Sequence, residues 1–188
     1  MNGDLSVQTG NKRIERQVYD GVQTAGSVEP AICPFLITVE RRGVEMSVKK
    51  YKHTVKYYET DKMGITHHSN YIRWMEEARI DFLSQIGWDY ARMEEEGVIS
   101  PVVSLSCRYK EPTTFPEEVT VQIIPGRFNG VVLELNYTMT NSEGRVVCEA
   151  SSTHAFVNEN GSPLRLKRNL PELYNSLAGL LDMEETGE

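Results

Sequence analysis

Between residues 69 and 86 apolar side chains recur at Tyr71, Met75, Ala78, Phe82 and Ile86, in steps of four, three, four and four, the spacing that lines one face of an α-helix. Trp74, Ile72 and Leu83 widen that face beyond an ordinary surface stripe, so the helix needs cover around much of its girth. Ser69 or Asn70 can cap its start and Gly87 stops it. A second, short helix is predicted over Asp89 to Glu96, closing at Gly97. Beyond it the period drops to two. Val103, Leu105, Cys107 and Tyr109 alternate with Val102, Ser104, Ser106 and Arg108, and Val119, Val121 and Ile123 repeat the rhythm. Leu133, Leu135, Tyr137 and Met139 continue it, Asn141-Ser142-Glu143-Gly144 reads as a hairpin turn, and Cys148, Ala150, Ser152, His154 and Phe156 line the return strand. Each run predicts a strand with one buried face. A strand, a long helix and then an antiparallel meander make an α+β domain.

Residues 1–45 carry no such periodicity apart from Pro34 to Val39, which can form one strand, and are expected to be a largely irregular extension. The compact domain is expected over 46–176. The tail is expected to form a short helix from Pro171 to Leu181 and to end in an acidic stretch, with 177–188 set apart as an acidic C-terminal tail. The 188 residues suffice for one domain with a real core. A net charge of −7 sets the overall field against nucleic acid and anionic membranes, so an anionic ligand needs a local basic cluster. Three cysteines, Cys33, Cys107 and Cys148, stand too far apart for a thiolate zinc site and indicate no disulfide framework, which points to a reducing cytoplasm. The best apolar run, Ala31 to Val39, is broken by Pro34 and too short to span a bilayer, so neither secretion nor membrane insertion is expected.

The chemistry concentrates in Tyr57-Tyr58-Glu59-Thr60-Asp61-Lys62-Met63-Gly64-Ile65-Thr66-His67-His68-Ser69-Asn70-Tyr71. An aspartate on a glycine turn stands seven positions before His68, with Tyr57 four positions behind it and a helix start close enough to offer backbone N–H groups to a developing oxyanion. Aspartate beside glycine is also an ordinary turn former. An ionised carboxylate suits attack on an acyl group as nucleophile or as base toward water, and the sequence does not separate the two. His67 and His68 invite a metal, but neighbours in an extended segment point to opposite sides and further ligands are wanting, so no metal and no cofactor are expected. No serine lies in a Gly-x-Ser-x-Gly elbow and no phosphate-cradling glycine loop is present. Arg79 falls too near the centre of the helix's apolar stripe to be a free cation, and Glu76, one turn back, is its expected partner; Glu77 should face solvent or a subunit contact. His154 is expected to be a satisfied core histidine, and His53 carries no signal.

Tyr-x-x-x-Asp-x-x-Gly followed by His-x-Asn-Tyr and Trp-Met-Glu-Glu-Ala-Arg resembles the motif of the 4-hydroxybenzoyl-CoA thioesterase family of hotdog-fold acyl-CoA thioesterases, over roughly residues 46–175. The resemblance implies a hotdog fold, an antiparallel β-sheet wrapped around a long central α-helix, and hydrolysis of an acyl or aromatic acyl thioester to free acid and CoA. It implies Asp61, His68 and Tyr57 as catalytic residues, and His67, Asn70 and Tyr71 as substrate contacts, with His67 as a wall of the acyl pocket. Arg165, Lys167 and Arg168 resemble the family's closing basic stretch and would reach the CoA phosphates; Arg108, Lys110 and Arg127 are weaker candidates. A homodimer or homotetramer with sites between protomers is implied. Another hotdog group puts its catalytic glutamate on the helix, which makes Glu76 the reserve. An acyl-ACP substrate is the alternative, and a non-enzymatic acyl-CoA-binding regulator a further one, disfavoured because residues 1–45 show no DNA-binding helix pair.

Overall fold

A computed structural model describes residues 37–41 and 44–181, with side chains from Val48 onward. The expected irregular extension therefore lies outside the described residues as far as residue 36, as do Cys33 and the acidic end of the tail. Ile37–Arg41 (β1) pairs antiparallel with Val44–Val48 (β2) in a two-stranded sheet. The main sheet has five antiparallel strands in the order β3-β5-β6-β7-β4, formed by Tyr51–Thr54 (β3), Val102–Tyr109 (β4), Glu118–Phe128 (β5), Val132–Asn141 (β6) and Val146–Ala155 (β7). Hairpins join β5, β6 and β7 in sequence, and β4 reaches its place at the edge only through β7.

The 18-residue helix α1, His68–Gln85, packs on β3 and β5 and buries Tyr71, Trp74, Met75, Ala78, Phe82 and Leu83. The predicted stripe is thus the buried face, with Ile86 just past the last turn also buried. Ile72 is the exception, 37% exposed at the wall of a pocket. Helix α2, Tyr90–Glu95, starts at an Asp89 cap and ends before Gly97, as its pattern indicated. The alternating valines and isoleucine of β5 and the apolar positions of β6 point into one core with α1. After α3, Leu166–Asn169, helix α4, Pro171–Leu181, adds Leu173, Leu177 and Leu180 to that core, so packed structure continues past residue 176.

Strand β4 departs from expectation. Its alternation predicted one buried face, yet Val102, Val103, Leu105 and Tyr109 are all exposed, at 51%, 62%, 39% and 44%. The strand closes the sheet at an edge where the described residues supply little cover on either side.

Candidate functional site

The segment between β3 and α1 is a closed loop. Thr60 and Thr66 form an antiparallel bridge, and inside it the Asp61 N–H donates to Ile65 O (2.9 Å) and the Gly64 N–H to Asp61 O (2.9 Å). Gly64 has φ 77°, the left-handed region that glycine enters without steric cost, which is why the turn carries glycine there. Asp61 Oδ1 accepts from the Met63 N–H at 2.8 Å, the turn-forming bond that sequence reasoning weighed against catalysis. One carboxylate oxygen therefore shapes the turn, and the other makes no hydrogen bond among the described residues. Asp61 is half-buried and accessible.

The loop is fastened to the start of α1 through Glu59. Its carbonyl accepts both the His67 N–H (2.8 Å) and Asn70 Nδ2 (2.8 Å). Thr66 fastens the other side, its N–H donating to Thr113 O at 2.8 Å, while Thr113 Oγ1 reaches Thr66 Oγ1 (2.7 Å) and the Tyr71 hydroxyl (3.0 Å). The cap of α1 is His67, not Ser69 or Asn70: its backbone is extended (φ −64°, ψ 133°) and its Nδ1 accepts from the Ser69 N–H at 3.4 Å. Asn70 is buried and spends its amide on the loop. Nor do the two histidines diverge as in a strand. His68 is the first helical residue, and the rings lie 4.1 Å apart with a 35° tilt, both exposed. Among the described residues no cluster of three or more metal-binding side chains occurs.

The His68 N–H, at the first helical position, has no acceptor among the described residues. It stands at the positive end of the helix dipole, next to the loop that holds Asp61. Tyr109, from the end of β4, donates its hydroxyl to His68 O at 3.2 Å and packs edge-on against Tyr71. Tyr57 is 78% exposed, rests edge-on against Phe115 at 5.9 Å and makes no hydrogen bond to Asp61 among the described residues.

Sequence reasoning passed over Glu59 and His53. Glu59 is 5% exposed and spends its carboxylate on three donors: Trp74 Nε1 to Oε1 (2.9 Å), the Lys56 N–H to Oε2 (2.7 Å) and His53 Nε2 at Oε2 (2.9 Å). Burial acts to raise its pKa, but the bonds from Lys56, His53 and Trp74 and the His53 charge outweigh it and hold the carboxyl below its ordinary range. His53, 8% exposed, also faces Glu77 Oε2 at 3.3 Å through Nδ1. A carboxylate two residues before a candidate catalytic aspartate offered one usable signal: it ends a strand pattern at a position where a free charge would be buried.

Arg79 is 4% exposed and grips Glu76 through Nε (3.0 Å) and Nη2 (2.7 Å), as the stripe argument required. Tyr90 joins them, accepting from Arg79 Nη2 and donating to Glu76 Oε1 at 2.9 Å. Burial pushes the Glu76 carboxyl up, and Arg79 and Tyr90 more than reverse this. The basic cluster lies elsewhere. Arg165, Lys167 and Arg168 are exposed, and Leu166 of the same turn donates its N–H to Gly130 O, at the β5–β6 turn. The Asp61 loop is tied to Thr113, ahead of the opposite end of β5, and β5 from Glu118 to Phe128 spans roughly 30 Å of strand. Within the chain the predicted phosphate contacts and the predicted catalytic residue are at opposite ends of the sheet.

Residues 55–177 match the thioesterase-like superfamily. The chain belongs to that superfamily. A Bacillus subtilis protein named "putative acyl-CoA thioesterase YneP" is 34% identical over 132 residues, covering 70% of this chain and 96% of the relative. The 1,4-dihydroxy-2-naphthoyl-CoA hydrolase of Thermosynechococcus vestitus is 30% identical over 108 residues, 57% of this chain and 74% of that protein. Among solved structures, the DHNA-CoA thioesterase of Staphylococcus aureus superimposes with a TM-score of 0.71 at 31% identity, covering 74% of this chain and 94% of that one. The fold of this superfamily member is accordingly the hotdog fold, with the five-stranded antiparallel sheet described above. Among the described residues no helix is long and apolar enough to cross a membrane.

Proposed function

We propose that the chain hydrolyses acyl-CoA thioesters at the mouth of α1, with Asp61 as the carboxylate that attacks the thioester carbonyl or draws a proton from the attacking water. The observation that carries this is the pairing of the unpartnered His68 N–H with a loop held beside it by two bonds to Glu59 O. A thioester whose carbonyl oxygen accepts from that N–H gains oxyanion stabilisation as the tetrahedral species forms, and collapse expels the CoA thiolate. His68 and His67 form a stacked wall beside this position, Tyr71 and Tyr109 its floor, and Asn70 serves by holding the loop. Tyr57 lies at the rim, where it can meet the pantetheine arm.

The substrate falls in the class of aromatic or medium acyl thioesters, in keeping with the names of the relatives and with the resemblance to 4-hydroxybenzoyl-CoA thioesterases. We read α1 as the central helix of the sheet's concave side. A second copy of the chain covers β4, whose apolar residues need a partner, and the assembly is a homodimer or dimer of dimers. Because Arg165, Lys167 and Arg168 lie far from Asp61 on one protomer, they serve CoA phosphates bound to a neighbouring copy. The reducing cytoplasm is the proposed location. The test is thiol release from a panel of acyl-CoA and acyl-ACP thioesters by the wild type and by Asp61→Ala. Turnover that survives Asp61→Ala would move the role to Glu76, and turnover of acyl-ACP alone would replace the carrier.

A further inference from the structure

Two of the four histidines are buried, and the core holds them differently. His154 meets Ser152 Oγ at Nε2 (2.7 Å), while its Nδ1 has no partner among the described residues, so the expectation of a satisfied core histidine holds for one of its nitrogens. His53 has a carboxylate on each side. Its Nε2 lies 2.9 Å from Glu59 Oε2 and its Nδ1 3.3 Å from Glu77 Oε2. Carboxylate oxygens accept hydrogen bonds and cannot donate them, so a ring with a proton on each nitrogen answers both. The ring also rests against the Trp74 indole, with centroids 4.7 Å apart, and an indole face attracts a cation within about 6 Å.

These groups come from three parts of the chain. His53 stands on β3, opposite Val119 of β5; Glu59 leads into the Asp61 loop; Glu77 stands on α1, where the Tyr51 hydroxyl also donates to it at 2.8 Å. The β3–β5 ladder is made by the backbone, so the sheet itself does not require this imidazole. The Glu59 carboxylate is tied to its own turn by the Lys56 N–H and to α1 by Trp74, and His53 adds a tie to the sheet. The carbonyl of the same residue accepts the His67 N–H and Asn70 Nδ2. Turning the Glu59 peptide would therefore shift the Asp61 loop against the His68 N–H.

We propose that His53 is a positioning residue for hydrolysis: gripped between Glu59 and Glu77, it sets the Asp61 loop at a fixed spacing from the mouth of α1. This rests on the thioesterase reading above and adds to it a buried residue with no chemistry of its own in the reaction. A displacement of about 1 Å between reacting groups can cost about a hundred-fold in rate, so a loosened clamp is felt in turnover before it is felt in the fold.

The experiment uses the full chain. His53→Phe keeps a ring beside Trp74 and removes both nitrogens. Its kcat on an acyl-CoA that the wild type hydrolyses should fall about ten-fold or more while KM changes little. Hydrogen exchange reads the geometry without turnover. The His67 amide, bonded to Glu59 O, should exchange about ten-fold faster, and the Thr66 amide, bonded to Thr113 O, should keep its wild-type rate. His53→Gln keeps a donor for Glu59 and loses the one facing Glu77. It should recover part of kcat, and it reads the same two quantities should the Phe variant fail to fold. An unchanged kcat with a lowered melting midpoint, or an unchanged ratio of His67 to Thr66 exchange, would overturn the inference and leave His53 as core support alone. A wild type that turns over no thioester would overturn the thioesterase reading instead, with the exchange ratio still deciding the clamp.

Discussion

Removing the Glu59 carboxylate should cost more stability than its position before a loop suggests. In Glu59→Ala three donors lose their acceptor. The Lys56 N–H belongs to an exposed residue and can take water, but Trp74 is 0% exposed and His53 8%. Each buried donor left unpaired costs about 1–3 kcal/mol, and His53 keeps Glu77 at 3.3 Å, which softens its share. The expected loss is about 3 kcal/mol, read as the shift of the urea midpoint at constant slope. Glu59→Gln keeps the shape and one acceptor and should lose about 1–2 kcal/mol, its amide hydrogens now facing the Lys56 N–H. The pH dependence separates charge from shape. A carboxyl whose folded pKa is depressed stabilises fully above its unfolded value, about 4.3, and its contribution fades as pH falls through the lower folded value. The wild type should therefore lose part of its advantage over Glu59→Gln below about pH 4.3. Because the Glu59 side-chain bonds fix the position of its backbone carbonyl, which holds both His67 and Asn70, both variants should also lower kcat while changing KM little. A midpoint shift for Glu59→Ala worth under about 0.5 kcal/mol would refute the reasoning.

Asp61→Ala should abolish thiol release with a stability loss of about 1 kcal/mol, that of the Met63 turn bond, measured by urea titration beside the activity assay. Arg79→Ala should cost about 2 kcal/mol, below the range for breaking a fully buried pair because the Glu76 side chain is 42% exposed and can rehydrate, while charge reversal at exposed Arg73 should cost well under 1 kcal/mol; equal midpoints would show that Arg79 is solvated. A chain ending at Ser176 should lose several kcal/mol against one ending at Leu181, since Leu177 and Leu180 are each 0% exposed; identical thermal midpoints would set the domain boundary at 176 after all. Burial, then Arg79, lowers the pKa of His154 to about 4, so wild-type stability should fall as pH drops from about 6.5 toward 4, and His154→Phe should flatten that slope.

The helix and the meander were legible because their patterns are long and each residue's environment is set by its own element. Tyr71, Met75, Ala78 and Phe82 are buried in the order that a 3.6-residue period dictates, and Arg79 met Glu76 because both stand on the same helix. What escaped notice depends on contacts across elements. Glu59 and His53 resemble surface residues in a polar segment, and only the approach of Trp74, from α1, makes them a buried pair. The cap at His67 was missed because histidine ranks low among caps, and the loop geometry chose it. The distance from Arg165 to Asp61 is a property of strand order, which periodicity does not encode. The alternation in β4 marks a strand, as expected, but not a half-buried one, since its amphipathic pattern answers to a surface that the described residues do not provide.

The place of β4 in the sheet also bears on how the chain is made. Its ladder partner is β7, with Val102 opposite His154 and Tyr109 opposite Cys148. A ribosome adding 5–20 residues per second needs about 2–7 s after finishing β4 to begin β7. Throughout that interval an eight-residue strand carrying Val102, Val103 and Leu105 has no backbone partner of its own. The strand that closes the sheet thus waits unpaired while β5 and β6 are made, and rapid overproduction should send newly made chains toward edge-to-edge aggregation through this segment. Slower synthesis at low temperature, or a charge placed at Val103, should return them to the soluble fraction.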